Sequence, residues 1–286
     1  MSGGIPVKEP GELTPVQMID GAYFKRDDLF RPFAGGVNGG KLRQCMMLVS
    51  GLAKRPEGLI TYCSIHSPQA PITAATAKWL KMPCVILYGG TYKDTLMRLA
   101  MPRLCLFYGA KIRIAAKSGR HNVPYAKARQ LEKDSGYFIV QYGINIMNYS
   151  SVLLEAVSRQ VENLPEEIDD LFMVCGSGIT ATGVMIGLKK YGKYVRKMHL
   201  VATGPNREKM IHQNLQKYGA DRFFYYHSLF DTPGFSYDKR EHFVLHGITF
   251  HPNYEAKMMK WYMQSGLRSG KTLFWITGAE PEGVII

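Results

Sequence analysis

No run of apolar residues in the 286-residue chain approaches the roughly 18 needed to cross a bilayer, and the first ten residues lack the apolar core of a secretory signal. Neither a membrane protein nor a secreted one is expected, and the predicted compartment is the cytoplasm. Cysteine is scarce and poorly spaced for chemistry. Cys45, Cys63, Cys84, Cys105 and Cys175 include no Cys-x-x-Cys pair, which disfavours a disulfide framework and a zinc site. No metal is expected, and the thiols should be reduced and mostly buried as small apolar residues. Repeats, low-complexity tracts and Pro/Ser-rich linkers are also missing, so any two domains would be interleaved rather than tethered. Acidic residues are few: 23 Asp and Glu against 36 Lys and Arg leave a formal net charge of +13. An enzyme for small molecules does not need that surplus, so a polyanionic partner stays in view.

What is present is an alternation of short apolar runs with longer amphipathic ones. Strands are expected at 58–64, 83–88, 111–115, 137–141, 171–174, 198–202 and 272–276. Helices are expected at 71–80, beginning on an N1 proline, and at 95–108, 123–133, 149–163, 181–190, 207–217 and 254–265. Strands separated by helices of this length imply parallel βαβ units in doubly wound sheets. Sites in such sheets lie at the carboxyl ends of strands, which directs attention to 65–70, 175–180 and 277–281.

The sharpest local signal is the strand, turn and helix start around Gly176, Ser177, Gly178, Ile179 and Thr180. Its glycines allow close backbone approach to an anion, and the following helix start supplies unpaired N–H groups. It lacks the Gly-Lys-Ser/Thr of a P-loop and the third glycine of a dinucleotide fingerprint. Read alone, it is either a phosphate cup or only a tight βα turn. A second signal is Lys25-Arg26-Asp27-Asp28-Leu29-Phe30, followed by four glycines (35, 36, 39 and 40) crowding Lys41. A partly desolvated lysine on a tightly folded backbone has the lowered pKa that Schiff-base chemistry needs. The plainer reading is a solvated lysine in a loop.

Together these segments resemble fold-type II pyridoxal-phosphate enzymes, in the branch of 1-aminocyclopropane-1-carboxylate deaminase and D-cysteine desulfhydrase. The resemblance is collinear over nearly the whole chain. Lys-Arg-Asp-Asp-Leu leads to an Asn/Gly-rich turn and Lys41-x-Arg43. Ser67-Pro68-Gln69-Ala70 stands where the branch has Ser-Asn-His/Gln. Cys175-Gly176-Ser177-Gly178 is similar to its phosphate loop, and His251-Pro252-Asn253-Tyr254-Glu255 to its Asp-Pro-Val-Tyr-Glu/Thr. Ile276-Thr277-Gly278-Ala279 is similar to its closing His-Thr-Gly-Gly. The resemblance implies two interleaved open twisted parallel-sheet domains, with pyridoxal 5'-phosphate in the cleft between them. A larger domain of 1–47 and 149–286 would carry an inserted smaller one of 48–148, and a homodimer is implied.

It further implies that Lys41 carries the cofactor as a Schiff base and shuttles the Cα proton. Gly176, Ser177, Gly178, Ile179 and Thr180 would hold the cofactor phosphate, and Glu255 would face the pyridine nitrogen with Thr277 nearby. Ser67 would bind the substrate carboxylate or act as a base or nucleophile, and Tyr254 would be an acid/base group. Pro68 replaces the asparagine that contacts the cofactor ring oxygen, leaving Gln69 as the substitute. His66 is either a local polar contact or part of an altered pocket. The changes at 251–254 and 276–279 fall on the substrate side.

Ten basic residues between Lys93 and Lys133 face two acidic ones there, Asp94 and Glu132, and the stretch 189–197 interleaves Lys and Arg with Tyr191 and Tyr194. Both patterns suit phosphate contacts, although 189–197 also suits a solvated helix end. Two function readings follow. One is a deaminase- or lyase-like enzyme acting at the α-carbon of a free amino acid. The alternative is a phage-type DNA-tailoring enzyme, such as a decarboxylase, whose amino acid is attached to a DNA base in the host cytoplasm.

Overall fold

The computed structural model describes residues 6–90, 93–116, 122–145, 150–230, 232–235, 239–267 and 270–281. In chain order the elements are the strands β1 (Val16–Ile19) and β2 (Ala22–Arg26), helix α1 (Gly40–Ser50), β3 (Leu59–Cys63), α2 (Gln69–Trp79), β4 (Cys84–Gly89), the short α3 (Lys93–Met97), α4 (Ala100–Phe107), β5 (Lys111–Ala116), α5 (Asn122–Ser135) and β6 (Phe138–Val140). A one-turn element α6 (Tyr142–Asn145) and helix α7 (Ser151–Ser158) follow. Then come β7 (Glu167–Cys175), α8 (Ile179–Lys190), β8 (Tyr194–Ala202), α9 (Glu208–Lys217), β9 (Tyr225–Ser228), the small hairpin β10 (Val244–Leu245) and β11 (Ile248–Thr249), α10 (Glu255–Ser265) and β12 (Thr272–Ile276).

These form two compact units. The larger comprises Met1–Pro32, Asn38–Gly40 and Tyr149–Glu280; the smaller comprises Phe33–Val37, Lys41–Asn148 and Pro281–Ile286. The chain passes from the larger unit to the smaller between Pro32 and Phe33 and, after returning at Asn38, again between Gly40 and Lys41.

The larger unit holds a six-stranded sheet in the order β1-β2-β12-β7-β8-β9, parallel except for the β1–β2 hairpin. One face buries Leu171, Met173, Leu200, Leu273 and Trp275 against α7, α8 and α9. The other buries Phe172, Val201, Phe274 and Ile276 against α10 and the β10–β11 hairpin. Helix α8 seats closely on α7 because Gly183 and Gly187 lack side chains: a Cβ on Gly183 would lie 2.6 Å from Val157 Cβ, and one on Gly187 2.6 Å from Ser158 O. The smaller unit holds a four-stranded parallel sheet, β5-β4-β3-β6. Ile60, Val85, Leu87, Ala115 and Ile139 pack with Ala128 of α5 on one face.

Parallel α/β architecture is thus as expected, while several element boundaries move for physical reasons. Helix α2 begins at Gln69, with Pro71 as its third residue rather than its first; a missing N–H is tolerated there because first-turn donors have no helical acceptor. The helix expected over 95–108 is two. Leu99 is extended (φ −96°, ψ 141°), so Pro102 falls in the first turn of α4, instead of an interior position where its ring would meet the carbonyl four residues back. The helix expected over 149–163 starts at Ser151, where Ser150 Oγ accepts the Leu153 N–H, and ends in a 3-10 turn, Arg159–Val161; Tyr149 lies outside the described residues. Strand β7 takes in 167–170, because buried Asp170 finds a partner in His199 of β8 (2.8 Å). The β1–β2 hairpin was not expected, although Asp20-Gly21, both at positive φ, is a strong two-residue turn signal.

Candidate active site

Strand order locates two crevices. In the larger sheet the chain runs outward through β7, β8 and β9, then returns to place β12 on the other side of β7. The carboxyl ends of β12 and β7 therefore flank a topological switch point, the ligand position in open parallel sheets. In the smaller sheet the chain runs outward through β3, β4 and β5, and β6 returns beside β3. A second switch point lies between β3 and β6.

The predicted phosphate turn occupies the first of these. Cys175 ends β7, Gly178 takes a left-handed conformation (φ 85°) as the N-cap of α8, and Ile179 opens the helix. Ser177 and Thr180 are buried. Among the described residues, none beyond its chain neighbours comes within 4 Å of where a Cβ on Gly176 would stand, which leaves room beside the turn. Beside it, Thr203 N–H donates to Cys175 O, and the Thr203 hydroxyl, 2% exposed, has no hydrogen-bond partner among the described residues. The sequence carried no signal for Thr203; only strand pairing brings it here.

Across the switch point, Thr277 follows β12. Its N–H donates to Glu255 Oε1 at 3.1 Å, and its hydroxyl bonds the same oxygen. Glu255 is the first residue of α10 and is fully buried, and burial pushes its carboxyl up to about 7. Tyr254, the N-cap, is half-buried with its ring centroid 4.7 Å from that of His251.

The glycine-rich segment before Lys41 is anchored to the same place. Asn38 Oδ1 accepts the Ala279 N–H (2.9 Å), and Gly40 N–H donates to Thr277 O (2.8 Å). Gly39 has φ 94°, and a Cβ on it would lie 2.3 Å from Thr277 O; a Cβ on Gly40 would lie 2.9 Å from Asp27 Oδ2. Asp27 is itself held by Thr14 Oγ1 (2.7 Å) and Trp275 Nε1 (2.9 Å), while Arg26 and Asp28 form a buried two-point ion pair. Asp27 of the Lys-Arg-Asp-Asp motif thus forms the seat for Gly40, and Thr277 that for Gly39. Lys41, the next residue along, is half-buried in the first turn of α1.

Ser67 and Gln69 lie at the second switch point, after β3. Ser67 is half-buried, and its Oγ accepts the Gln69 N–H at the entry of α2 (3.3 Å). The Gln69 amide nitrogen donates to Thr61 Oγ1 (2.7 Å) and to Gln141 O (2.9 Å), and its oxygen accepts the Gly143 N–H (2.7 Å). The amide therefore ties β3, β6 and α6 together, bonds that a cofactor contact would have to replace. Pro68 is the helix N-cap, and His66 is exposed.

The two basic stretches differ in structure. In 189–197, Lys190 pairs with Glu155 (2.6 Å), Lys193 with Glu166 (2.5 Å) and Arg196 with Asp169 (3.4 Å), and Lys189 donates to Gly219 O. In 93–133, Arg98, Lys111, Arg113, Lys127 and Lys133 are exposed without an ion-pair partner among the described residues, while Arg129 pairs with Glu132. Lys117 and Arg120 lie outside the described residues.

All five cysteines are buried thiols, with Cys45 and Cys63 pushed up to about 12 by burial. Among the described residues no group of three His, Cys, Asp or Glu could hold a metal ion, and no helix is long and apolar enough to cross a membrane.

Residues 7–223 match the model of the pyridoxal-phosphate dependent enzyme family. The chain is 25% identical to the O-seryl-dTMP PLP-dependent decarboxylase of Salmonella phage ViI, over 91% of this chain and 78% of that protein. It is 27% identical to a putative 1-aminocyclopropane-1-carboxylate deaminase of Pyrococcus furiosus, over 73% of this chain and 64% of that one. Among solved structures, an ACC deaminase homologue superposes with a TM-score of 0.72 at 22% identity, covering 96% of this chain and 92% of its own. That likeness speaks to fold alone.

Proposed function

The chain belongs to the pyridoxal-phosphate dependent enzyme family, and from that premise we propose that it acts at the α-carbon of an amino-acid substrate, with Lys41 as the amine that bonds the cofactor. The observation that carries this reading is Glu255. A buried carboxyl with its pKa near neutrality, held by Thr277 beside an open glycine turn, fits a group that presents a basic ring nitrogen at one end and a phosphate at the other. The cofactor supplies the sink for the electron pair left at Cα when a bond to it breaks. The protein's own residues do the rest. The N–H groups at the start of α8 and the hydroxyls of Ser177 and Thr180 hold the phosphate in place of water. Glu255 keeps a proton on the ring nitrogen. Lys41 Nζ takes and returns the Cα proton, Ser67 binds the substrate carboxylate at the start of α2, and Tyr254 serves as an acid/base group. Reduction with borohydride followed by peptide mass analysis tests the core assignment: the cofactor mass should fall on Lys41 and vanish in Lys41→Ala. A label on another lysine sinks it.

Within this family a second reading has its own support: the amino acid is attached to a nucleotide or DNA base. The phage relative, which matches most of the chain, bears a name describing decarboxylation of a seryl-carrying thymidine nucleotide. Arg98, Lys111, Arg113, Lys127 and Lys133, exposed without an ion-pair partner among the described residues, suit phosphate, whereas Lys190, Lys193 and Arg196 already pair with carboxylates. Incubation with free amino acids and, separately, with aminoacyl-modified DNA, followed by product mass analysis, separates the two readings. A homodimer and a cytoplasmic location complete the proposal; light scattering reports the first.

A further inference from the structure

A row of aromatic rings crosses the larger sheet. Phe24 of β2, Phe274 of β12, Phe172 of β7, His199 of β8 and Tyr225 of β9 are paired in register, one ring per strand. Successive centroids are 5.2, 5.5, 4.4 and 5.0 Å apart, with interplanar angles of 31°, 26°, 9° and 15°. Residues in register share a face of the sheet, so the pairing itself stacks the rings. The first four are buried, and Tyr262 of α10 packs edge-on against Phe172 and Phe274.

His199 is locked within this row. Its Nε2 meets Asp170 Oδ1 at 2.8 Å and its Nδ1 meets His227 Nε2 at 3.0 Å. Burial holds both imidazoles below their ordinary pKa, His227 at about 4. Both are therefore neutral near pH 7, and two hydrogen bonds fix the plane of the ring on which Tyr225 stacks.

The row stops at an edge. β9 is the last strand of the sheet, and Tyr225 is 39% exposed. Phe223, edge-on to it at 5.0 Å and 85°, is 74% exposed. Neither ring belongs to a core of this unit. Edge strands are ordinarily blunted by charge, proline or a covering element, whereas this one presents two adjoining rings.

The charge beside them is positive. Lys197 precedes His199 by two residues on β8, shares its face, and lies near enough for its charge to bear on the imidazole. Unlike Lys190, Lys193 and Arg196, it is exposed with no carboxylate partner among the described residues. Asp221, two residues before Phe223, is turned to His212 of α9 (3.1 Å). An open aromatic face beside an unpaired cation, on a chain of net charge +13, suits a partner that combines flat rings with phosphates.

We propose that the sheet edge at Tyr225 and Phe223 takes a base of single-stranded nucleic acid, which extends the row by stacking on Tyr225 while Lys197 meets a neighbouring phosphate. The inference rests on the nucleotide-linked reading above and narrows it. From Tyr225 to the turn at Gly176 is four residues along the strands and two strands across, about 15 Å. A mononucleotide engaged at the turn ends short of the edge, whereas a polynucleotide spans both, so the substrate is a modified residue within a strand.

The test is fluorescence anisotropy of a short labelled oligothymidylate titrated with holoenzyme at low salt. Wild type should bind it. Tyr225→Ala should weaken binding roughly tenfold, as expected for loss of one base–aromatic stack. Tyr225→Leu, which keeps apolar bulk against His199 without a flat ring, should weaken it similarly, and Tyr225→Phe should retain it. Lys197→Gln should lower the salt slope by about 0.7. The visible spectrum of the bound cofactor should be unchanged throughout. Equal binding by wild type, Tyr225→Ala and Tyr225→Leu overturns the edge site. So does failure of wild type to bind; conversion of an aminoacyl thymidine mononucleotide in the product assay would then keep the nucleotide-linked reading, and turnover of free amino acids alone would remove it too. Self-association in light scattering that Tyr225→Leu abolishes, with DNA binding unchanged, gives the edge to a second copy of the chain and overturns the proposal.

Discussion

The two switch points are built alike and finished differently. At the larger sheet Glu255 is locked to Thr277, Gly39 and Gly40 are pressed against Thr277 and Asp27, and the Gly176–Gly178 turn runs straight into α8. At the smaller sheet the half-buried Ser67 and the Gln69 amide meet a turn in which Gly143 and Ile144 take positive φ. A cofactor of fixed shape tolerates a rigid, closely packed seat. Departures from the resemblance fall at both crevices: Pro68 at the smaller sheet, His251 and the buried Ala279 at the larger.

The most damaging way to challenge this contrast is at Gly39. In Gly39→Ala the new methyl would sit 2.3 Å from Thr277 O at a backbone angle of φ 94°, so either β12's exit or the residue carrying Lys41 must move. A loss of about 4 kcal/mol in denaturant unfolding, with loss of bound cofactor, is expected. A wild-type melt would mean that the anchor is slack.

Next comes the pH dependence of Glu255. A carboxyl raised from 4.5 to about 7 by burial is protonated more readily in the folded state than in the unfolded one. Its contribution is therefore fully favourable below about pH 4.5, declines as pH rises to about 7, and is constant above. The decline amounts to about 3 kcal/mol. Cofactor-free protein should show it in unfolding titrations and Glu255→Gln should abolish it; an unchanged profile in the variant would remove Glu255 as the cause.

On the smaller side, Gln69→Leu should cost about 2 kcal/mol by stranding Gln141 O and the Gly143 N–H. It should also release α6, read as faster amide exchange at Gly143 and Ile144, while the larger unit's protection stays level. Exchange that rises equally in both units would erase the distinction between the two crevices.

The smallest expected effects compare the two basic stretches. On the nucleotide-linked reading, Arg113→Gln and Lys127→Gln should each reduce the salt slope of binding to aminoacyl-modified DNA by about one. Lys190→Gln and Lys193→Gln should leave it nearly unchanged, because those lysines already neutralise Glu155 and Glu166. The reverse ranking would move the DNA surface to 189–197.

Much of the larger unit was legible in advance, because periodicity, the glycines of 176–178 and the Asp-Pro-Val-Tyr-like segment are local signals. The role of Lys-Arg-Asp-Asp was not, since Asp27 acts through Thr14, Trp275 and Gly40, far apart in sequence. The breaks at 98–99 and 159–161 escaped notice for a similar reason: apolar spacing continues through them, and only proline sterics and packing end the helices.

The sequence by itself determined the alternation of strands and helices, the surplus of positive charge, and the short motifs whose chemistry depends on neighbours in the chain. Tertiary structure decided which of those motifs meet. It set Thr277 against Glu255 and Gly39, and paired Lys190, Lys193 and Arg196 with carboxylates distant in sequence. Strand order, a long-range choice made by burying two faces of each sheet, determines which loop ends become neighbours, and no local pattern encodes it.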